Sequence, residues 1–103
     1  MTWTRVAEAS EVPEGEGLAA TLRGRHIAIF RVGEELLACD GMCSHGHAFL
    51  AEGYLDGDEV ECPMHSGRFN VRTGKAVCAP ARVDIATFPV EVRDGTVFVD
   101  LPE

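Results

Sequence analysis

The amino-acid sequence predicts an all-β fold, a sandwich or barrel of short antiparallel strands. Its apolar residues lie in short or alternating runs separated by glycine-containing turns, a composition typical of strands. The run FPVEVRDGTVFVDL alternates on both sides of Asp94-Gly95. That dipeptide favours a type I′ hairpin, because both central residues of the turn need a positive φ. No window carries a 3.6-residue apolar stripe longer than two turns, so no amphipathic helix is expected.

The strands expected first are TRVAEA, LAATLR, RHIAIFRV and EELLACD, with tight turns at Arg23-Gly24 and Val32-Gly33-Glu34. Apolar residues crowd HIAIFRV instead of alternating, which predicts a strand buried on both faces. The early run VAEASEVPEG could begin a helix, but Pro13 and Gly15 stop it.

A different kind of sequence lies at 40–81. It holds three of the four histidines, six of the eleven glycines and every cysteine except Cys39. Its own strand signals, EGYLDGDEVEC and RFNVRTGKA, predict two short hairpins with turns at Asp56-Gly57 and Thr73-Gly74. We therefore expect one domain over 1–103, with an antiparallel β-sandwich base formed by 1–39 and 82–103 and an inserted subdomain at about 40–81.

Charge and composition exclude several classes of protein. Nine basic and 17 acidic residues give a formal charge of −8, a field that repels phosphate backbones and anionic lipids. We expect no nucleic-acid or membrane partner. The N-terminal residues do not resemble a signal peptide, so a cytoplasmic location is expected. Cytosolic thiols are kept reduced and the four cysteines are unevenly spaced, which favours metal binding over disulfides.

The chemistry of the chain is concentrated in two short motifs. C-x-H at Cys43 and His45 is followed, after sixteen residues, by C-x-x-H at Cys62 and His65. Thiolate and imidazole are ligands of soft and borderline metals, and two such pairs provide four ligands. Structural zinc sites usually pair cysteine with cysteine and histidine with histidine. The mixed pairs suit a [2Fe–2S] cluster with two cysteines on one iron and two histidines on the other. A cysteine nucleophile with a histidine base is a third reading, but it leaves the second pair without a role.

The sequence resembles the Rieske family, and within it the small ferredoxins of bacterial aromatic-ring-hydroxylating dioxygenase systems. The resemblance rests on C-S-H-G at 43–46, C-P-M-H at 62–65, the intervening GYLDGDEVE, and RFNVRTGKA followed by C-A-P. It implies the Rieske (ISP-like) fold and one [2Fe–2S] cluster, with Cys43 and Cys62 on the buried iron and His45 and His65 on the outer, reducible iron. It also implies that Pro80 belongs to a loop covering the cluster.

The resemblance further implies a one-electron carrier and not an enzyme. Electrons would come from an NAD(P)H-dependent flavoprotein ferredoxin reductase and pass to the Rieske centre of a terminal oxygenase acting on aromatic rings. Two alternatives stay open at this stage. One is a Rieske-like accessory subunit of another redox enzyme, such as nitrite reductase, and the other is a structural zinc-binding module.

Departures from high-potential Rieske proteins indicate a low reduction potential. Those proteins join the two loops by a disulfide at the positions of Ala48 and Met64, and carry serine and tyrosine hydroxyls at the positions of Gly67 and Phe69. With fewer hydrogen-bond donors to the cluster, the added electron is less favoured. We expect a potential near the lower end of the family range of roughly −150 to +300 mV.

The remaining chemistry-bearing residues are assigned structural roles. His47 is expected on a loop surface, because it lies two residues beyond His45 and cannot easily reach the same iron. His26 is expected to be a core or edge histidine, because its strand looks buried. Cys39 and Cys78 are expected to be small buried hydrophobes. Trp3 and Tyr54 are assigned to the core. The residues expected to shield the cluster from water, or to form an apolar docking patch, are Met42, Phe49, Met64 and Phe69.

Overall fold

The computed structural model describes residues 2–43, 48–64, 67–79 and 83–102. Within these ranges, eleven strands form three antiparallel sheets, and two short 3-10 helices cover Ala9–Glu11 and Leu50–Glu52. The strands are β1 Thr2–Glu8, β2 Gly17–Leu22, β3 Arg25–Val32, β4 Glu35–Asp40, β5 Tyr54–Asp56, β6 Glu59–Glu61, β7 Arg68–Asn70, β8 Ala76–Cys78, β9 Thr87–Phe88, β10 Val90–Arg93 and β11 Thr96–Leu101. The predicted all-β antiparallel fold is confirmed.

The first sheet joins the two ends of the chain in the order β1-β11-β10. β1 pairs with β11 from Thr2 opposite Leu101 to Glu8 opposite Thr96, with a bulge in β1. The predicted hairpin between β10 and β11 is present, and φ is +51° at Asp94 and +81° at Gly95, as a type I′ turn requires.

The second sheet has the order β2-β3-β4-β9, and its central strand β3 is buried on both faces, as the sequence predicts. Ile27 and Ile29 pack with residues of the first sheet in one core cluster. Ala28 and Phe30 belong to a second cluster shared with the middle of the chain. β3 therefore lies between two cores, one shared with the first sheet and one shared with the part of the chain that carries the cysteine motifs.

The third sheet, β5-β6-β7-β8, consists of the two hairpins expected in the middle of the chain. The first turn is displaced by one residue from its predicted position: Asp56 ends β5, and the bend falls at Gly57, whose φ is +61°. An ion-pair bridge from Arg72 joins this sheet to the base. Its guanidinium lies 2.9 Å from Glu35, the first residue of β4, and 3.3 Å from Asp58, in the turn between β5 and β6. In the described part of the chain, no helix is long and apolar enough to cross a membrane.

Candidate metal centre

The first cysteine motif begins where β4 leaves the second sheet. After Asp40 the chain passes Gly41, whose amide donates to the carbonyl of His26 at 2.8 Å. A β-carbon at Gly41 would lie 2.9 Å from backbone atoms of His26 and Ile27, so only glycine fits this approach to β3. The loop entrance is therefore fixed against the central strand of the fold.

Two further hydrogen bonds close the base of this loop. The amide of Leu50 donates to the carbonyl of Gly41 at 2.8 Å, and the amide of Cys43 donates to the carbonyl of Ala48 at 2.9 Å. The segment from Cys43 to Ala48 is thus a six-residue loop whose first and last residues are bonded to each other. Cys43 occupies its first position.

The second motif is closed in the same way. β6 ends at Glu61, and the amide of Cys62 donates to the carbonyl of Gly67 at 2.7 Å. This bond again joins the first and sixth residues of a loop, and β7 begins at Arg68 immediately after it. Cys43 and Cys62 therefore occupy equivalent positions in two loops of equal length.

Both cysteines are buried in the same place. Cys43 is 4% exposed and Cys62 is 1% exposed, and the two belong to one buried cluster with Leu50 and Phe69. All four cysteines of the chain lie within the described residues and are thiols, not disulfides. Two soft sulfur donors at equivalent loop positions in an apolar setting fit the cysteine half of an iron–sulfur ligand set.

The histidines of the motifs lie outside the described residues, as do His47 and Pro80. In the sequence, His45 falls between Cys43 and Ala48, and His65 falls between Cys62 and Gly67. The structure thus brings together two of the four predicted ligands. The complete set of Cys43, His45, Cys62 and His65 stays a prediction.

The apolar residues expected to shield the site are placed differently from one another. Phe69 is fully buried and Met42 is half-buried, in agreement with a shielding role. Met64 is 67% exposed and Phe49 is also exposed, which fits the alternative expectation of an apolar docking patch for these two and not burial beneath the site. The buried cluster that contains Cys43 and Cys62 includes instead aliphatic side chains from β6 and from the 3-10 helix at Leu50.

Two expectations of burial are wrong. Cys78 is exposed because β8 is an edge strand of the third sheet. Tyr54 is 70% exposed because β5 is the opposite edge. Cys39, by contrast, is buried as expected, and burial raises the pKa of its thiol to about 12, with a further contribution from the negative charge of Asp40.

His26 and Trp3 each contact neighbouring side chains at the surface of the protein. His26 is exposed on β3, where its ring meets that of Phe49 edge to face at 5.4 Å and Nδ1 lies 3.4 Å from the hydroxyl of Thr21. The expectation of a core or edge histidine is therefore wrong, because His26 is exposed and β3 has a neighbouring strand on each side. Trp3 is half-buried, with the guanidinium of Arg93 5.6 Å above its ring.

The sequence reasoning missed Asp40, the last residue of β4. Its carboxylate accepts hydrogen bonds from Arg25 at 3.1 Å and from the backbone amide of Ala86 at 2.9 Å. It lines an open cleft of about 380 Å³ together with Cys43 and Asp84. The only signal in the sequence is an acidic residue three positions before the first motif cysteine, and its partner Ala86 is 46 residues away.

Comparison with known proteins finds similarity along most of the chain. The family model described as the Rieske [2Fe-2S] domain matches residues 2–89. The ferredoxin component of the naphthalene 1,2-dioxygenase system of Pseudomonas putida is 43% identical over 99 residues, which cover 96% of this chain and 95% of that protein. The 3-phenylpropionate/cinnamic acid dioxygenase ferredoxin subunit of Shigella flexneri is 48% identical over 95 residues, covering 91% and 89%. A chain in the solved complex of reduced oxygenase and oxidized ferredoxin in carbazole 1,9a-dioxygenase matches with a TM-score of 0.88 at 42% identity, covering 94% of this chain and 91% of that one.

Proposed function

The chain belongs to the Rieske [2Fe–2S] domain family, and we propose that it is the one-electron ferredoxin of an aromatic-ring dioxygenase system. The observation that carries this proposal is the extent of the match to the naphthalene dioxygenase ferredoxin component, 96% of this chain and 95% of that protein. The resemblance predicted from the two motifs is therefore confirmed. The chain corresponds to a carrier component, and catalysis belongs to its partner.

The cofactor is one [2Fe–2S] cluster, the group for which the family is described. We propose Cys43, His45, Cys62 and His65 as its ligands. The equal closure of the two loops and the burial of both cysteines support the sulfur half of this set. When bound, such a cluster accepts and releases one electron at a time, and neutral imidazole in place of thiolate raises its potential above that of an all-cysteine centre.

The surroundings of the loops support a low potential within the family. Gly67 contributes its backbone carbonyl to loop closure and has no side chain, and Phe69 is fully buried without a hydroxyl. Neither side chain donates a hydrogen bond toward a bound cluster. A low-potential centre suits a carrier reduced by a nicotinamide-linked flavoprotein.

The terminal oxygenase is the electron acceptor. In a solved complex, an oxygenase is bound to a ferredoxin of the carbazole 1,9a-dioxygenase, and a chain of that complex is 42% identical to this one. We propose an NAD(P)H-dependent flavoprotein reductase as the electron donor. The named relatives serve naphthalene and phenylpropionate systems, which supports an aromatic substrate for the oxygenase.

We also propose a division of the chain into a base, 1–39 and 82–103, and a cluster-binding subdomain at about 40–81. The separate third sheet, formed by β5 to β8, supports this division. A cytoplasmic location is proposed as well. It is supported by Cys39 and Cys78, which lie outside the proposed ligand set and are thiols, since the cytoplasm keeps thiols reduced.

The proposed cofactor is tested by metal analysis and EPR spectroscopy of the purified chain. We expect two iron and two sulfide ions per chain, the composition of one cluster, and an EPR signal after reduction with dithionite. Cys43→Ser and Cys62→Ser should lose iron, whereas Cys78→Ser, a control at an exposed thiol, should retain it. Zinc without sulfide in folded protein would instead identify a structural zinc module.

The proposed role is tested by electron transfer. Reduced protein mixed with the oxidised ferredoxin-dependent oxygenase of an aromatic dioxygenase system should be reoxidised as the oxygenase Rieske centre is reduced. The stopped-flow absorbance of both centres follows this exchange. A cluster that fills normally but reduces no such oxygenase would leave the cofactor assignment intact and contradict the role.

A further inference from the structure

The carboxylate of Asp40 accepts a hydrogen bond that a backbone carbonyl of β4 would accept if the pairing of β4 with β9 continued. β4 pairs with β9 through Ala38 opposite Phe88 and Cys39 opposite Thr87. One residue further, the amide of Asp40 donates to the carbonyl of Ala86 at 2.9 Å, as a regular ladder requires. The return bond differs: the amide of Ala86 donates at 2.9 Å to Oδ2 of Asp40, a side-chain oxygen. The side chain therefore continues the pairing where the backbone turns away.

The second oxygen of this carboxylate is held by a cation. Nη2 of Arg25 donates to Oδ1 of Asp40 at 3.1 Å, and the Arg25 guanidinium lies 4.8 Å from the centre of the Phe88 ring. The Asp40 side chain is 29% exposed. Contacts on both oxygens restrict it to one orientation, and charged partners make both bonds stronger than neutral ones.

The segment held by Asp40 is also fixed to the third sheet. The amide of Ile85 donates to the carbonyl of Gly74 at 2.8 Å, and Oδ1 of Asp84 accepts from the amide of Ala76 at 2.9 Å. Residues 84–86 thus connect the hairpin of β7 and β8 to Asp40. On the other side, Asp40 lies three residues before Cys43, and both line one open cleft with Asp84 and Ile85.

We propose that Asp40 is a positioning residue for the metal centre. Its carboxylate clamps the strand that enters the Cys43 loop to the segment that leaves the third sheet, and so fixes the backbone on the Cys43 side of the cluster. This inference rests on the proposed function, because it concerns the surroundings of the bound cluster. The structural clamp itself is a property of the protein chain.

A comparison of Asp40→Asn with Asp40→Ala distinguishes a positioning role of the Asp40 side chain from an effect of its negative charge. Asp40→Ala removes both hydrogen bonds and the negative charge. Asp40→Asn removes the charge but retains a carbonyl oxygen that can accept from the Ala86 amide. A positioning role predicts that asparagine restores most of what alanine loses, whereas a purely electrostatic role predicts that the two variants behave alike.

The experiment compares the cluster-loaded wild type with Asp40→Ala, Asp40→Asn, Arg25→Gln and the control Glu91→Gln. The control removes one carboxylate from an exposed ion pair with Arg93 on β10. The measurements are hydrogen exchange of the Ala86 amide, the EPR g values of the reduced protein and its reduction potential. They report the clamp, the geometry of the centre and its energetics separately.

We expect Asp40→Ala to speed exchange at Ala86 by about tenfold, the scale of one lost hydrogen bond, and to shift the g values and the potential. Asp40→Asn keeps an acceptor for the Ala86 amide but loses the bond from Arg25, so it should resemble Arg25→Gln in exchange and stay closer to the wild type than to Asp40→Ala in g values and potential. Glu91→Gln should match the wild type in all three measurements. Arg25→Gln should give intermediate exchange, because it frees one oxygen and leaves the Ala86 bond. If Asp40→Ala does not fold, the Ala86 exchange rates of the other three variants test the clamp. Glu91→Gln should exchange as slowly as the wild type, and Arg25→Gln should exchange faster.

Three outcomes would overturn the inference. One is fast exchange in Asp40→Ala with g values and potential equal to those of the wild type. Another is an Asp40→Asn variant that shifts the potential as far as alanine does, which would assign the effect to charge. Unaltered exchange in Arg25→Gln with altered exchange in Glu91→Gln would also contradict it. A wild type without an iron–sulfur EPR signal would overturn the proposed function instead, and Ala86 exchange would still report the clamp.

Discussion

The backbone amide of Cys62 donates a 2.7 Å hydrogen bond to the carbonyl oxygen of Gly67, and this bond repeats the one from Cys43 to Ala48 at 2.9 Å. Each loop is thus closed by its own backbone across the same number of residues. The predicted histidine ligand of each motif falls, in sequence, between the two closing residues. Closure by backbone bonds limits the conformations that each loop must lose when a metal centre binds.

The first prediction concerns hydrogen-bond donors near the cluster. Gly67→Ser or Phe69→Tyr introduces a hydroxyl at a position where high-potential relatives of the family carry one. A donor to the cluster stabilises its reduced form, so the potential of each variant should rise. Voltammetry of the purified variants measures the shift. Tyr54→Phe, which removes an exposed hydroxyl from β5, is the control and should leave the potential unchanged. A null result in both test variants would contradict our account of the low potential.

The second prediction concerns the histidine ligands. His65→Cys replaces a neutral imidazole by a thiolate, which adds negative charge at the iron and should lower the potential of any cluster that assembles. A redox titration followed by visible absorption measures the change. His47→Cys is the matched control, since His47 has no predicted ligand role, and its potential should stay at the wild-type value. If His65→Cys also kept the wild-type potential, His65 would not be bound to iron.

The strands and turns followed from the sequence because local patterns determine them. Crowded apolar residues in β3 indicated burial on both faces, and Asp94-Gly95 indicated a turn with two positive φ angles. The motif cysteines were identified by spacing alone, and their burial agrees with that assignment. These features depend on residues close together in the chain.

The exposed side chains and the Asp40 clamp did not follow from the sequence because distant pairing determines them. Cys78 and Tyr54 are exposed since β8 and β5 are the two edges of the third sheet. The residues of a single strand do not show whether it lies at the edge or in the middle of a sheet. Asp40 accepts a hydrogen bond from the backbone amide of Ala86, 46 residues away. Because almost every residue carries a backbone amide, the sequence does not identify this partner.

The third prediction follows from the pKa of Cys39. Burial, with the charge of Asp40, raises the pKa of this thiol from 9.0 to about 12. Below pH 9 the thiol is protonated in both the folded and the unfolded chain, so its contribution to stability is fully present there. Between pH 9 and 12 only the unfolded chain loses the proton, and the free energy of unfolding should fall by about 1.4 kcal/mol per pH unit.

Urea unfolding at pH 8, 9.5 and 10.5 measures this alkaline slope. Cys39→Ala should reduce the slope by the contribution of one thiol. Val97→Ala, a control at an equally buried residue without a titratable group, should lower stability at every pH and keep the slope. Equal slopes in the wild type and Cys39→Ala would contradict the raised pKa.

The fourth prediction concerns the entrance of the first loop. Gly41→Ala places a methyl group 2.9 Å from backbone atoms of His26 and Ile27, which cannot move without disturbing β3. We expect a loss of about 1 to 3 kcal/mol, the usual cost of overpacking, measured from the urea midpoint at constant m value. Gly15→Asn is the control for open space, because no atom lies within 4 Å of the new β-carbon, and asparagine tolerates its left-handed φ of +80° better than most other side chains do. A change in Gly41→Ala no larger than the control would refute the steric reason.

The fifth prediction concerns the bridge between the third sheet and the base. The guanidinium of Arg72 donates hydrogen bonds to the carboxylates of Glu35 and Asp58, and these bonds raise its pKa above the usual range, so it stays charged. Because the bridge joins segments that are far apart in sequence, Arg72→Gln should lower the melting temperature at low salt. Salt screens exposed ion pairs, so the difference from the wild type should shrink near 0.5 M sodium chloride, where the Debye length is only about 4 Å. Arg5→Gln breaks a local pair with Glu8 and should have a smaller effect. Equal losses in the two variants, or a loss in Arg72→Gln that salt does not change, would show that the bridge adds nothing beyond an ordinary surface pair.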